Sequence, residues 1–397
     1  MYKVLETIMI LYYSMWIPFG VEYMIGTGIG ILILLFSHNF KISINRTFIL
    51  VIIFSISFFS LQSFLEYSFL RSFAYSLTII IMYLCGYNWI DIYQSSNEKS
   101  QSVQYTIKII YIGIALYVLM CVVYTYLTGN VLNVFNRDPK IFWDGSEGNS
   151  THFSSISAVP LAASAYFSMS ENKKERFFNI SIFLCTLLCN LLMSNRISVI
   201  FAGIFILLAL YLKYKDSLLK KKTKIIMLIV ALLTLCAITY SFNLFNIQSK
   251  IMSLPMIKRT VVLNQQGYKD PRLERQLYVL KNFTKHMCGG GHFNYEIGEV
   301  HNVWLDVYDY AGIIPFIFFV ALTISIIVKM FKALNISKYD ETIKILLIVL
   351  FAYLLSFVEE PVIRSCESYM VLFFFCCGLF YRYIKIICEY PHDVPNL

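Results

Sequence analysis

Long apolar runs recur along the whole chain and limit how it can fold more than any other feature. Each run holds about 17 to 25 mostly apolar residues, the length of helix that crosses roughly 30 Å of hydrocarbon. The pattern predicts an all-α polytopic membrane protein with about 12 transmembrane helices. The runs lie near residues 5–21, 23–37, 47–62, 72–90, 106–127, 153–169, 177–194, 197–212, 225–243, 303–328, 343–358 and 368–388.

Composition supports this fold class. Of the 397 residues, 58% are hydrophobic and only 14% are charged, whereas a soluble domain averages about 25% charged residues. Such a chain could not cover its own surface in water. We expect residues 1–397 to form a single integral membrane domain. Its first helix is expected to stay uncleaved, because the first apolar run lacks a small-residue cleavage site.

Lysine and arginine are concentrated in alternate loops. By the positive-inside rule these basic loops and both termini are cytoplasmic. Residues 129–152 then form a first external loop, and residues 244–302 form a large external loop between spans 9 and 10. The net charge of +9 is dispersed between the spans, which argues against a nucleic-acid partner. The basic loops are 38–46, 170–176, 213–224 and 329–344.

On this topology the external side is rich in arginine. About seven of the ten arginines lie outside, compared with about six of the 23 lysines. The planar arginine fork suits phosphate oxygens, so the external face is predicted to bind an anion. The alternative is that these arginines pair with acids such as Glu359, Glu360 and Glu367. The external arginines are Arg71, Arg137, Arg196, Arg259, Arg272, Arg275 and Arg364.

The large external loop contains a predicted amphipathic helix. It begins after Asp270 and Pro271 and continues with leucines at three- and four-residue spacing. Arg272 and Arg275 lie one turn apart on it. The helix is expected to end before the glycines at 289–291, which permit a turn and a close approach of the backbone to a ligand. The leucines are Leu273, Leu277 and Leu280.

The loop ends in "HNVWL" and leads into an apolar run. This order of arginine helix, glycine turn and His-Asn pair resembles the O-antigen ligase and polymerase superfamily. Ser194 and Arg196, at the external mouth of an earlier helix, are similar to a second motif of that family. One departure is Gln276, where family members often have Trp. The other matching residues are Arg272, Gly289, Gly291, Phe293, His301, Asn302, Leu305 and Gly312.

The resemblance implies a glycosyltransferase of the C-type integral membrane class, multi-pass in the bacterial plasma (inner) membrane, with its active site on the external or periplasmic side. Members of the family use an oligosaccharide linked to undecaprenyl diphosphate as donor. A polymerase transfers the growing glycan onto an incoming lipid-linked repeat unit of a capsule, O-antigen or exopolysaccharide. Membrane lipid, a flippase and a chain-length regulator are the partners that this function implies.

The residue types suit that chemistry. Displacing a diphosphate from an anomeric carbon requires stabilisation of the leaving charge, which arginines provide without a metal. The acceptor hydroxyl needs a general base, and histidine is the usual choice. We therefore predict His301 as the catalytic base. The residues predicted to bind the diphosphate or the rest of the substrate are Arg137, Arg196, Arg272, Arg275 and Asn302.

Three local alternatives stay open. His301 could only cap the following helix, and Arg275 could form a salt bridge with Glu274 or Asp270. A zinc site is the third, but its spacing matches no standard motif, so we expect no metal and no cofactor. The residues of that zinc set are His286, Cys288, His292 and His301.

Two alternatives concern the function of the whole protein. An O-antigen-type ligase, which transfers the glycan onto a different lipid acceptor, shares all of these features. A lipid-linked oligosaccharide flippase also has about twelve spans, but it is expected to have short loops and charged groups inside the membrane. Ionisable residues here gather outside the spans. The sequence therefore favours a polymerase, then a ligase, then a flippase.

Overall fold

Helices account for nearly all regular structure in the part of the chain that the structure describes. The computed structural model describes residues 2–16, 24–36, 45–64, 69–92, 95–133, 136–214, 271–336, 340–360 and 362–389, together with residues 258 and 261. Within these ranges there is no strand, only one isolated antiparallel bridge between Lys140 and Glu147. The all-helical prediction is confirmed there. The predicted run at 225–243 and most of 244–270 lie outside the described residues.

The helices follow the apolar runs closely. They are α1 (Tyr2–Ser14), α2 (Met24–Phe36), α3 (Arg46–Phe64), α4 (Phe69–Asn88), α5 (Ser96–Leu127), α6 (Ser150–Ile156), α7 (Ala158–Phe167), α8 (Lys173–Leu192), α9 (Arg196–Tyr214), α10 (Arg272–Lys281), α11 (His292–Ile297), α12 (Val303–Ala311), α13 (Ile313–Ile336), α14 (Glu341–Glu359), α15 (Val362–Ser365) and α16 (Glu367–Glu389). A 3-10 turn, Trp89–Ile92, follows α4.

Among the described residues, seven helices are long and apolar enough to cross a membrane: α4, α5, α8, α9, α13, α14 and α16. Three shorter apolar segments lie in α1, α2 and α3. Helices α14 and α16 are mostly buried inside the protein, whereas α8 and α13 expose much of their apolar surface. Large exposed side chains on these two outer helices include Phe177, Leu184, Ile317 and Phe331. An outer surface of this kind suits lipid, so the protein is membrane-embedded.

Two of the predicted runs are interrupted. The sixth run, 153–169, is divided between α6 and α7, because Pro160 has no N–H to donate to the carbonyl of Ile156. The tenth run, 303–328, is divided at Gly312, whose φ of +87° ends α12. The long helix α13 therefore begins at Ile313, ten residues later than the run. Both breaks leave short helices beside Glu359 and Glu360.

Among the described helices, the most extensive pairing joins α4 to α16. Gly86 and Gly378 allow it, since a Cβ on Gly86 would overlap the carbonyl of Phe375, and one on Gly378 would overlap the carbonyl of Tyr83. Small residues permit such close approach between membrane helices. The pairing fixes the start of α16 beside α4, where Arg71 lies 3.3 Å from Glu367 and Tyr75 donates to the carbonyl of Ile363.

Candidate active site

Polar side chains from α6, α10, the segment before α12 and the end of α14 meet at one end of the helix bundle. We call His301, Arg272, Glu359 and Glu360 the histidine cluster. Glu359 ends α14 and Glu360 follows it. Their side chains are 6% and 0% exposed, respectively. Two carboxylates at this depth lose most of their hydration, so they require charged or hydrogen-bonding partners.

Arginine provides the first of these partners. The guanidinium of Arg272 donates to Glu360 Oε1 at 2.9 Å and lies 3.7 Å from Glu359 Oε1. Ser155 donates to the other oxygen of Glu359 at 3.3 Å. Arg272 keeps 23% of its side chain exposed. The alternative that external arginines pair with acids is thus confirmed for Arg272, as it is for Arg71 with Glu367.

His301 provides the second partner. Its Nδ1 lies 3.0 Å from Glu360 Oε2, so one carboxylate bridges the imidazole and the guanidinium of Arg272. The backbone of His301 has a φ of +54°, a strained left-handed conformation for a residue with a side chain. Gln276 stabilises this conformation by donating to the His301 carbonyl at 3.1 Å. Gln276 therefore has a defined contact with the backbone at His301.

Asn302, rather than His301, caps α12. The Asn302 side chain accepts a hydrogen bond from the backbone N–H of Leu305 at 3.2 Å. This is the usual helix N-cap contact. It holds the first turn of α12 in place directly after the imidazole. Asn302 was predicted to bind substrate, and in the structure its side-chain oxygen positions the helix that follows His301.

The amphipathic helix predicted in the large loop is present as α10, which begins at Arg272 directly after Pro271. Its leucine face is turned outward, with Leu273 65%, Leu277 44% and Leu280 54% exposed. The opposite face carries Arg272 and Arg275 towards the bundle. Its buried apolar residue is Val279, which packs with Phe293, Val300, Leu305 and Tyr308.

Arg275 does not pair with an acid among the described residues. Its guanidinium donates to the carbonyl of Glu299 at 3.1 Å. It also lies over Gly298, where an added Cβ would be 3.2 Å from the guanidinium. Arg275 thereby fastens α10 to the segment that leads into His301, and the predicted alternative of a salt bridge with Glu274 is not what the structure contains.

The glycine turn approaches the chain's own backbone. Gly289, Gly290 and Gly291 all have positive φ, and a Cβ on Gly289 would lie 2.7 Å from the carbonyl oxygen of Tyr310. The N–H groups of Gly290 and Gly291 donate to the carbonyls of Tyr310 and Asp309. The Asp309 carboxylate then accepts from two N–H groups at the start of α11. In the structure the glycine backbone thus packs against the end of α12, and its predicted approach to a ligand stays a prediction.

Arg196 begins α9 next to α6. Ser194, two residues before it, has a φ of +57°. Ser198, two residues after it, lies 2.8 Å from Ser154 of α6, hydroxyl to hydroxyl. Because Ser155 contacts Glu359, α6 links the first turn of α9 to the histidine cluster. Arg196 is half-buried and forms no ion pair within the described ranges.

Arg137 lies in the first predicted external loop. It is half-buried and, like Arg196, has no ion pair in the part of the chain described. Its neighbour Asp138 accepts from the backbone N–H of Ser150 at 2.8 Å, which joins the loop to the start of α6. The loop is therefore fixed to the same short helix that contacts Glu359.

Three side chains near the histidine cluster could also hold a metal ion. His152, Glu299 and Glu360 bring potential ligand atoms within 4.8 Å of one another. The set shares no residue with the zinc set considered from the sequence, which includes His286, Cys288 and His292. Its members are distant from one another in sequence. Both oxygens of Glu360 already contact Arg272 and His301, so a cation there would compete with them.

The contribution of Glu360 was missed by sequence reasoning. The sequence pattern indicates only a counter-charge for arginine, whereas in the structure Glu360 contacts the predicted base directly. The available signal was the pair of acids in "FVEEP", directly after an apolar run, where carboxylates are costly unless they have partners. A comparison with protein-family models gave no match, and neither did a comparison with curated proteins.

Proposed function

We propose that this protein is a polymerase of lipid-linked polysaccharide repeat units. It would transfer the growing glycan from undecaprenyl diphosphate onto an incoming lipid-linked unit at the external face of a bacterial plasma membrane. The observation that carries the proposal is the contact of His301 Nδ1 with a fully buried carboxylate, 3.0 Å away at Glu360. It supports a general-base function for the residue that the sequence singles out.

The contact suggests which nitrogen of His301 accepts the proton. If Nδ1 carries its proton toward Glu360, the neutral imidazole presents an unprotonated Nε2, and the carboxylate fixes both tautomer and ring orientation. In the proposed step, Nε2 takes the proton of the acceptor hydroxyl as the hydroxyl oxygen bonds to the anomeric carbon. The bond from that carbon to the diphosphate oxygen breaks, and the lipid diphosphate leaves with the electron pair.

Arginines would stabilise the diphosphate. Arg272 is already engaged with Glu359 and Glu360, so it positions Glu360 and offers only its exposed edge to a ligand. Arg196 has no acidic partner among the described residues, and an uncompensated guanidinium attracts phosphate most strongly. We assign Arg196 and Arg272 to the diphosphate. Arg275 would shape the loop, and Arg137 would contact the glycan.

An apolar groove supports a lipid-linked substrate. A cavity of about 430 Å³ lies between α9, α12, α13 and α14, and apolar side chains line it. One part of its lining is formed by Trp304 and Val358, close in sequence to His301 and Glu359. A polyprenyl chain in this groove would have its diphosphate near the histidine cluster. Burial of apolar chain surface would favour such binding.

The direct test uses purified protein supplied only with undecaprenyl-diphosphate-linked repeat units. A ladder of lengthened products is expected, and His301→Ala should give none. A product formed only after a different acceptor is added would identify a ligase. Repeat units trapped on the cytoplasmic leaflet of a deletion strain would identify a flippase. Activity lost to a chelator and restored by a divalent cation would show a metal requirement, for which His152, Glu299 and Glu360 are the candidate ligands.

A further inference from the structure

The helix α10 carries a stripe of exposed leucines, which we call the leucine face. Leu273, Leu277 and Leu280 are 65%, 44% and 54% exposed. Because an α-helix turns about 100° per residue, the three side chains lie within about 60° of one another around the helix axis. An exposed apolar surface of this kind marks contact with lipid or with another molecule. The proposed glycosyl transfer gives the leucine face no function.

The other sides of α10 have different environments. On the inward side, Arg272 and Arg275 contact the histidine cluster and the segment that leads into it, and Val279 is buried. Glu274 and Lys281, both exposed, lie about 90° from the leucine face on the opposite flank. The helix therefore has one side for protein, one apolar side and one charged side. Helices that lie at a membrane surface combine an apolar face with a charged one in this way.

The end of α10 adjoins the outside of α13. The ring of Phe283, two residues after α10, packs against Phe316 in the first turn of α13, with 5.4 Å between ring centres. The carbonyl of Met287 accepts from the N–H of Ile313 at 2.9 Å. Exposed apolar side chains surround this junction: Met287 at 44%, Ile314 at 52% and Ile317 at 52%. Since α13 presents its apolar outer side to lipid, the leucine face ends beside a surface that already faces lipid.

The length and polarity of α10 determine how it can meet the membrane. It has ten residues, which extend about 15 Å, half of the roughly 30 Å needed to cross the hydrocarbon. Two tyrosines accompany it: Tyr278 is 36% exposed and donates to Glu296, and Tyr295 is 75% exposed. Tyrosine is enriched where hydrocarbon meets water. These features favour a helix that lies along the membrane surface rather than one that enters it end-on.

We propose that α10 is an interfacial helix whose leucine face is embedded in the lipid leaflet at the end of the bundle that holds the histidine cluster. The leucines lie roughly 5–10 Å deep, at the boundary between headgroups and acyl chains. Glu274 and Lys281 remain in water. Because Arg272 belongs to the same helix, the membrane surface then sets the height of the histidine cluster relative to the lipid headgroups. This inference does not depend on the glycosyl transfer proposed above.

The test places a nitroxide label at Leu277→Cys in the full-length protein, reconstituted into vesicles of phosphatidylethanolamine and phosphatidylglycerol. The exposed Cys288 and Cys388 are changed to Ser, and this background protein without an added cysteine is the blank. Power saturation compares collisions of the label with oxygen, which concentrates in hydrocarbon, and with a water-soluble nickel chelate. The oxygen-to-nickel ratio should be several-fold higher at Leu277→Cys than at the matched control Glu274→Cys. It should approach the ratio at Ile317→Cys on α13.

Frequent nickel collisions at Leu277→Cys, equal to those at Glu274→Cys, would place the leucine face in water and overturn the proposal. Rare collisions with both reagents, together with a slowly moving label, would show that protein covers the face. That result would also overturn the proposal, whether the cover is a second copy or another part of this chain. Leu280→Cys repeats the measurement at a second exposed position if Leu277→Cys does not fold. None of these outcomes depends on whether the protein forms a ladder of products.

Discussion

The acids at the two ends of α14 differ in their exposure to solvent. At its start, Glu341 contacts Lys213 and Lys344 and accepts from the hydroxyl of Tyr166, and its side chain is 46% exposed. We call these four residues the lysine cluster. At the other end, about 27 Å away by helical rise, lies the histidine cluster, whose carboxylates are almost completely buried.

The difference between the clusters is one of electrostatic cost. An exposed ion pair contributes about 0–1 kcal/mol, because water already hydrates both charges. A buried carboxylate loses several kcal/mol of hydration, which arginine and well-oriented hydrogen bonds can only partly offset. In the lysine cluster, Glu341 is 46% exposed and Lys213 26%, and only Lys344 is buried, at 6%, so the cluster costs less hydration than the two buried carboxylates. The histidine cluster keeps two carboxylates buried in spite of the hydration they lose, which is typical of a functional site with ionisable groups.

The largest expected effect is the loss of catalysis in His301→Ala. Removal of a general base lowers the rate by roughly 10²–10⁴-fold, whereas Glu341→Gln in the lysine cluster should leave the ladder of products unchanged. The melting temperature of His301→Ala, measured beside the ladder assay, separates lost chemistry from lost folding. If His301→Ala gives chains of normal length, the histidine cluster is no more important for activity than the lysine cluster. The assignment of His301 as the base is then wrong.

Glu360→Gln tests whether the buried carboxylate acts through the histidine. The amide can donate to Nδ1, which would favour the imidazole tautomer with its proton on Nε2, the wrong one for a base. We expect kcat to fall on the order of 10²-fold, the low end for impaired general-base catalysis, with little change in KM. Glu360→Asp should recover part of kcat because the negative charge is restored. Equal kcat loss in both variants would limit Glu360 to a structural role.

Arg272→Ala should lower the free energy of unfolding, because the carboxylates of the histidine cluster are buried. It would leave Glu359 and Glu360 without their guanidinium, at a cost of about 3 kcal/mol, the low end for a broken buried pair because Arg272 is partly exposed. Combining it with Glu360→Gln should recover much of that stability. In the lysine cluster, Glu341→Gln should cost less than Arg272→Ala, because Glu341 is itself half exposed and the amide oxygen can still accept from the buried Lys344. Denaturation in matched detergent measures all three, and equal costs at both ends would remove the distinction.

Local sequence signals predicted the helices and caps of the site better than the contacts between them. The helix at Arg272–Lys281 followed from Pro271 and the leucine spacing, and Asn302 has the ordinary signal of an N-cap. The leucine spacing could not determine which face of α10 would turn inward. That choice depends on the Arg272 contacts with Glu359 and Glu360, almost ninety residues away along the chain.

The span pattern shows the same limit. Apolar length alone predicted continuous helices at 153–169 and 303–328, although Pro160 and Gly312 divide them. These interruptions create the short helices α6 and α12, which bring Ser155 and His301 to the acids at the end of α14. Hydropathy averages over a window and is insensitive to single residues that redirect the backbone. The parts of the site that lie at such breaks were therefore the least predictable.

The smallest expected effect concerns a charged pair that belongs to the large loop and is exposed to about the same degree as Glu341. Lys285 lies 2.7 Å from Glu296, which also contacts His286. The hydrogen bond from Lys285 holds the pKa of Glu296 below its usual 4.5, and the same bond raises the pKa of Lys285 above 10.5. The stabilisation that comes from the lowered pKa of Glu296 is complete above the unfolded pKa and is lost as pH falls through the folded pKa. The stabilisation that comes from the raised pKa of Lys285 is lost only as pH rises above 10.5.

The pair should therefore hold the glycine turn to α11 throughout the neutral range and release it below about pH 4.5. Hydrogen exchange of the amides at 285–297, corrected for intrinsic rates, should become slightly faster at pH 4 than at pH 7. Glu296→Gln at pH 7 should reproduce the change, while the amides of α14 next to the histidine cluster stay protected. If α14 opens together with the turn, the exposed pair is coupled to the buried carboxylates, and the contrast between exposed and buried charge does not extend to this loop.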